Sequence, residues 1–169
     1  MYIRRLSIEN VRAIPEFTLR LAPTEACGWH VILGANGAGK SSVVRSLALA
    51  LAGPKEAVAL RQNWTTWQRH GASPGKIALQ IEAGAKDVFT GTGRRASVID
   101  ATLEFSPIES SIGGPRLELK ATTGQQVAAR SIWGTNAGWF SASFGPFRRF
   151  TGGDQAFDQR GRGRIEMQP

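Results

Sequence analysis

Apolar and polar residues alternate with period two at both ends of the first twenty positions. Leu6 and Ile8 are followed, across a break at Asn10 to Pro15, by Phe17, Leu19 and Leu21 with Thr18 and Arg20 between them. Such alternation predicts two short strands, an antiparallel pair with one solvated face. Trp29-His30-Val31-Ile32-Leu33 is instead a nearly continuous apolar run, the pattern of a strand buried on both faces of a parallel or mixed sheet. On that reading His30 is a satisfied core histidine rather than a ligand. From Ser41 to Ala52 the apolar residues Val44, Leu47, Ala48 and Leu51 recur at helical spacing, and Gly53-Pro54 supplies the stop.

Beyond Pro54 the pattern weakens, and the stretch through Gly75 reads as a surface helix and loop carrying Trp64, Trp67 and His70. Alternation returns at Ile77, Leu79 and Ile81, at Ile99, Ala101, Leu103 and Phe105, and at Leu117 and Leu119. These predict meander strands separated by turns at Gly91-Thr92-Gly93 and Gly113-Gly114-Pro115. Gly138 to Phe144 is a candidate further strand. After Gly152-Gly153 the sequence is polar and rich in Arg and Gly, which predicts a disordered tail over 155–169 and a globular unit over 1–154.

Composition narrows the class. The chain has 169 residues, 41% of them hydrophobic and 20% charged, enough for one packed core and too apolar for wholesale disorder. No apolar run reaches the length of a membrane span, so no membrane association is expected. The alternating start Met1 to Ile8 is unlike a secretory signal, and the single Cys27 can form neither an internal disulfide nor a metal cluster. Together these lead us to expect a cytoplasmic protein. Lys and Arg total 21 against 13 Asp and Glu, a formal charge of +8. That balance suits an anionic partner, but the arginines are spread along the chain, so an ordinary solvated basic surface explains them equally well.

One motif carries chemistry. Gly34-Ala35-Asn36-Gly37-Ala38-Gly39-Lys40-Ser41 matches G-x-x-x-x-G-K-[ST] between an apolar run and a helix. Glycines let the backbone wrap a phosphate chain so that N–H groups converge on it, and the following helix adds its positive end. Lys40 can reach the β and γ oxygens, and the Ser41 hydroxyl suits Mg²⁺, a hard cation. ATP and Mg²⁺ are therefore the expected ligands.

With Ser7-Ile8-Glu9-Asn10-Val11-Arg12 ahead of it and Asn36-Gly37-Ala38-Gly39-Lys40-Ser41-Ser42 within it, the opening of the chain resembles the N-terminal lobe of ABC-type ATPase heads. The similarity is to SMC, RecF and OLD-type AAA family ATPases, including anti-phage defence ATPases, and Phe144 to Phe150 resembles a segment of such proteins. The resemblance implies an α/β P-loop lobe with an antiparallel β subdomain, its C-terminal part incomplete. It implies a nucleotide site of Arg12, Asn36, Gly37, Ala38, Gly39, Lys40, Ser41 and Ser42, with Lys40 the catalytic cation, Ser41 the metal ligand and Arg12 on the phosphates. It further implies a homodimer closing on two ATP molecules, and DNA or a nuclease as partner. An exposed loop arginine is an equally good description of Arg12.

Departures from that family pattern matter. Such heads need a strand of four apolar residues ending in Asp-Glu to hold Mg²⁺ and polarise water. Val98-Ile99-Asp100-Ala101 is too short and is better explained by strand alternation. Phe150-Thr151-Gly152-Gly153-Asp154-Gln155 only partly imitates the signature segment, and no glutamine or histidine stands where the γ-phosphate sensors belong. Arg160-Gly161-Arg162-Gly163-Arg164 could serve RNA, though a solvated tail or a truncated or frame-shifted end explains it better. Hydrolysis is therefore undecided from sequence. Two other classes stay open: a nucleotide- or nucleic-acid-binding module without hydrolysis, and a P-loop kinase, for which clustered lid arginines are lacking.

Overall fold

Five strands and two helices account for most of the computed structural model, which describes residues 1–59, 64–72, 74–89, 96–108, 116–134 and 141. Strands β1 (Tyr2–Val11) and β2 (Ile14–Arg20) form the expected hairpin, with a break of only two residues. Helix α1 (Lys40–Ala59) follows a long connection. Strands β3 (Gly75–Glu82), β4 (Val98–Ile108) and β5 (Arg116–Thr123) form the meander, and α2 (Gln125–Arg130) comes last. The candidate strand at 138–144, the turns at 91–93 and 113–115, the signature look-alike and the 155–169 tail lie outside the described residues.

The hairpin and the meander make one sheet, in the order β2-β1-β3-β4-β5, with every pair antiparallel. Register keeps apolar residues in rows across it: Leu19, Leu6, Leu79 and Ala101 in one, Phe17, Ile8, Ile77 and Leu103 in the next. Residues two apart on a strand share a face, so Ile77, Leu79 and Ile81 are buried while Lys76, Ala78 and Gln80 are less covered. Helix α1 covers the buried face with Val43, Leu49, Ala50 and Ala57, and Ala128 of α2 and Ile132 complete the core. Asp100 accepts a hydrogen bond from Gln80 Nε2 at 2.8 Å, so it belongs to strand pairing as its alternation indicates.

Two expectations change. Trp29 to Leu33 is not a buried strand: no described strand lies beside it, Trp29 is fully exposed, and His30, Val31 and Leu33 face solvent. The physical reason is topological. A strand buried on both faces needs paired neighbours and covering layers, and the described sheet runs from β2 to β5 with 29–33 joined to neither of its edges. His30 is accordingly exposed rather than a core histidine. The apolar stripe of α1 is also turned, because the buried positions are Ser42, Val43, Ser46, Leu49 and Ala50, whereas Val44 is 45% exposed. Small hydroxyls fit close against the sheet, and Ser-Ser-Val-Val-Arg-Ser-Leu-Ala-Leu-Ala-Leu-Ala has apolar residues on every face. The helix does break where expected. Gly53 has φ 81° and ψ 170°, Pro54 starts a second helical segment, and the Trp133 ring lies against Gly53 with its Nε1 donating to the Ala50 carbonyl at 2.9 Å.

Two substitutions test this packing. A Cβ at Gly124 would lie 1.6 Å from the Asp100 carbonyl oxygen at φ +69°, so Gly124→Ala should cost upward of about 2 kcal/mol. Ser46 is fully buried and its hydroxyl lacks a hydrogen-bond partner, so Ser46→Ala should leave stability unchanged or raise it by up to about 1 kcal/mol. Urea unfolding of both variants checks the pair.

Candidate phosphate-binding site

The loop 34–39 connects directly to the first turn of α1. Gly37 and Gly39 hold φ of 82° and 93°, backbone that side-chain-bearing residues adopt only with strain. No heavy atom lies within 4 Å of a Cβ position at Gly37, so the conformation and not crowding calls for glycine there. At Gly39 both apply, since a Cβ would meet Ile14 Cγ1 at 2.9 Å. The hairpin turn between β1 and β2 is thus seated on the phosphate loop.

Lys40 Nζ donates to the carbonyl oxygens of Gly34 and Ala35, both at 2.7 Å. An ammonium has three donors, so one is left for an oxyanion. These bonds span the loop from its last residues to its first. Ala38 N–H donates to Ala35 O at 3.2 Å, and Val43 N–H to Gly39 O at 2.9 Å begins the helical ladder. The amides of Lys40, Ser41 and Ser42 precede that ladder, and the first turn of α1 contains no acidic residue. The helix dipole there is uncompensated and favours an anion. Asn36 and Ser41 are exposed, and Ser42 is tucked against the core.

Arg12 reaches this place by a second route. It occupies the β1–β2 turn at φ 52°, with Asn10 also at φ 52°. Asn tolerates this region, but for Arg12 the surroundings must impose the conformation. They do so through the segment 67–69. Arg12 N–H donates to Trp67 O at 2.7 Å, Arg69 N–H to Asn10 O at 2.9 Å, and Arg69 Nη1 to Ala13 O at 3.2 Å. An isolated bridge joins Val11 to Gln68. Trp67 is 3% exposed, packs against Trp64 and Phe105, and carries the Arg12 guanidinium 4.4 Å above its ring. Trp67 is therefore a core residue, as tryptophan packing would have it, and it also holds Arg12.

Burial first, and the nearby positive Arg45 second, hold the Arg12 guanidinium below its ordinary pKa. Its Nε is buried without a hydrogen-bond partner. Arg45 was not among the residues expected from sequence; it is exposed on α1, one turn beyond Ser41. Among the described residues no group of three or more His, Cys, Asp or Glu could hold a metal ion, and Cys27 is free and exposed. A hollow of about 410 Å³ lies elsewhere, lined by Thr65, Gln68, Arg69, His70 and Leu117 but by no loop residue. The donors of the loop, not this hollow, mark the site.

The seating of Ile14 on Gly39 is directly testable. Gly39→Ala should cost at least about 1–2 kcal/mol through backbone strain and contact with Ile14. Ile14→Ala should couple to it by more than about 0.5 kcal/mol in a double-mutant cycle, and strict additivity in chemical denaturation would contradict the contact.

Comparison with known proteins agrees with this geometry. A family model described as AAA domain matches residues 5–128, well over half of the chain. No curated protein matches. Among solved structures, one similar chain comes from work on the ATP-driven dimerization and DNA-stimulated activation of SMC ATPases. It superposes with a TM-score of 0.54 at 13% identity, over 98% of this chain and 99% of that one. Among the described residues no helix is long and apolar enough to cross a membrane. The loop, the following helix and the family match lead to one conclusion: the chain belongs to the AAA domain family, and its fold is similar to that of an SMC ATPase chain.

Proposed function

We propose that the chain binds Mg-ATP in the loop Gly34 to Ser42, with Arg12 as a further phosphate contact, and that two copies close on two nucleotides. The observation that carries this reading is the junction of loop and helix. Lys40 bridges the Gly34 and Ala35 carbonyls at the head of a helix whose first turn has no acid. The residues present fit the nucleotide, because Gly37 is open to a close approach and three helix-end amides face outward from the ladder.

In this reading the backbone amides from Gly37 to Ser42 hold the β-phosphate, and Lys40 exchanges carbonyl oxygens for β and γ oxygens. Asn36 and Ala38 shape the loop mouth, and Ser42 anchors the first turn. The Ser41 hydroxyl is placed to ligate Mg²⁺, which supplies charge neutralisation across the β- and γ-phosphates when bound. Arg12 presents a fixed, always charged guanidinium from the opposite element. Ordering by ATP would favour association of two copies. The similar SMC chain, whose dimerization is described as ATP-driven and whose activation as DNA-stimulated, motivates extending dimerization and DNA response to this one. A nuclease partner and a cytoplasmic location in DNA repair or anti-phage defence are further elements of the proposal.

Binding without turnover by the isolated chain is the second reading that an observation favours. The sequence contains no run of four apolar residues ending in Asp-Glu, and the carboxylates that position water must come from elsewhere. Catalysis by Lys40 is therefore proposed only within a complete assembly.

Three outcomes are expected. Lys40→Ala should weaken Mg-ATP binding in calorimetric titration by roughly 10- to 100-fold, and unchanged affinity would overturn the assignment. The chain alone should release phosphate from ATP at background rate, and robust Lys40-dependent turnover would contradict this. DNA should bind weakly and without sequence preference, losing affinity steeply with salt in fluorescence anisotropy, because a dispersed charge of +8 neutralises phosphates without reading bases.

A further inference from the structure

One residue holds Arg12 at both of its ends. The Trp67 carbonyl accepts the Arg12 N–H at 2.7 Å, and the Arg12 guanidinium lies over the Trp67 ring, 4.4 Å from its centroid. That ring is itself fixed. Trp67 is buried, meets Trp64 edge-on at 5.8 Å and Phe105 at 6.2 Å, and donates its N–H to Trp64 O at 2.9 Å. The ion pairs of the described residues are Met1 with Asp87, Arg4 with Glu82 and Lys120 with Glu118, and none includes Arg12. Its Nε is buried without a hydrogen-bond partner. Arg12 stands two residues before Ile14, whose side chain is seated on Gly39 of the loop. Among the described residues, then, the cation beside the loop is held by an aromatic face and paired with no carboxylate.

We infer that Trp67 is a positioning residue of the nucleotide site, whose ring holds the Arg12 guanidinium ready for phosphate without neutralising it. The inference rests on the Mg-ATP reading of the loop, in which Arg12 is a phosphate contact, and names what makes that contact effective. A long side chain gives up rotamer freedom when it binds, and holding it beforehand removes that cost. Two kinds of neighbour can hold an arginine. A carboxylate does so by charge, and a phosphate must then compete with it for the same donors. An aromatic face does so through its quadrupole, which leaves the net charge and the in-plane N–H donors for an anion. The backbone acts in the same sense. Arg12 sits at φ 52°, held there by its own N–H bond to Trp67 O and by the bond of Arg69 N–H to Asn10 O at 2.9 Å. Trp67 therefore fixes where the Arg12 side chain starts as well as where it ends. A leucine at 67 would occupy the core but offer the cation no quadrupole.

The test is a double-mutant cycle on the full chain. Trp67→Leu and Trp67→Phe are made in the parent and in Arg12→Ala, and Mg-ATP and inorganic tripolyphosphate are titrated calorimetrically at a temperature where circular dichroism shows each variant folded. In the parent, Trp67→Leu should weaken both ligands about three- to tenfold, and Trp67→Phe less than about threefold. In Arg12→Ala neither substitution should change affinity by more than about 1.5-fold. A merely structural role would give equal losses in both backgrounds, and that result overturns the inference, as does no loss in the parent. A second measurement serves if Trp67→Leu does not fold. All five tryptophans are replaced by fluorinated analogues, which draw electron density from the ring at nearly constant shape. Affinity should fall with each added fluorine in the parent but not in Trp67→Phe, and the same slope in both overturns the inference. If Arg12→Ala leaves affinity unchanged while Lys40→Ala weakens it, the inference fails and the loop reading stands. Failure of the unsubstituted chain to bind either ligand would overturn both.

Discussion

The seat of Ile14 on Gly39 is the contact on which the site depends. It is the place where the sheet meets the phosphate loop, and it works only because residue 39 has no Cβ and tolerates φ 93°. From it follows the position of the β1–β2 turn, and from the turn the position of Arg12. Trp67, Gln68 and Arg69 then hold that turn from behind, so that Arg12 keeps a backbone angle it would not choose alone. Core packing reaches the site through Trp67, which lies between Phe105 of β4 and the Arg12 guanidinium. A substitution in the core near Phe105 can therefore be felt at Arg12.

What the sequence made legible was local. The phosphate loop, the hairpin and the meander each have short-range patterns, glycines at fixed spacing or alternation with period two, and each lies where the pattern puts it. Burial is not local. Trp29 to Leu33 has the composition of a buried strand, yet no strand among the described residues lies beside it, and its side chains are exposed. The face of α1 was missed for a related reason, because an apolar helix with small hydroxyls does not declare which side meets the sheet until the sheet is placed. The stacking of Arg12 on Trp67 has no local signal, because it arises from long-range juxtaposition.

Charge organises the site as much as shape does. The described ion pairs lie away from the loop and include none of Lys40, Arg12 and Arg45, and the first turn of α1 has no acid. Exposed ion pairs add little to stability, but a cluster of like charges creates a standing preference for anions. The +8 of the whole chain is thus less informative than the placement of three of its cations.

Amide hydrogen exchange with and without Mg-ATP tests most directly the claim that loop and hairpin turn form one nucleotide site. The account predicts that nucleotide slows exchange at the amides of Gly37 to Ser42 and, in the same titration, at Arg12 to Ile14, with the far sheet edge in β5 unchanged. Protection confined to the loop would contradict the joint site, and protection at neither place would contradict nucleotide binding there.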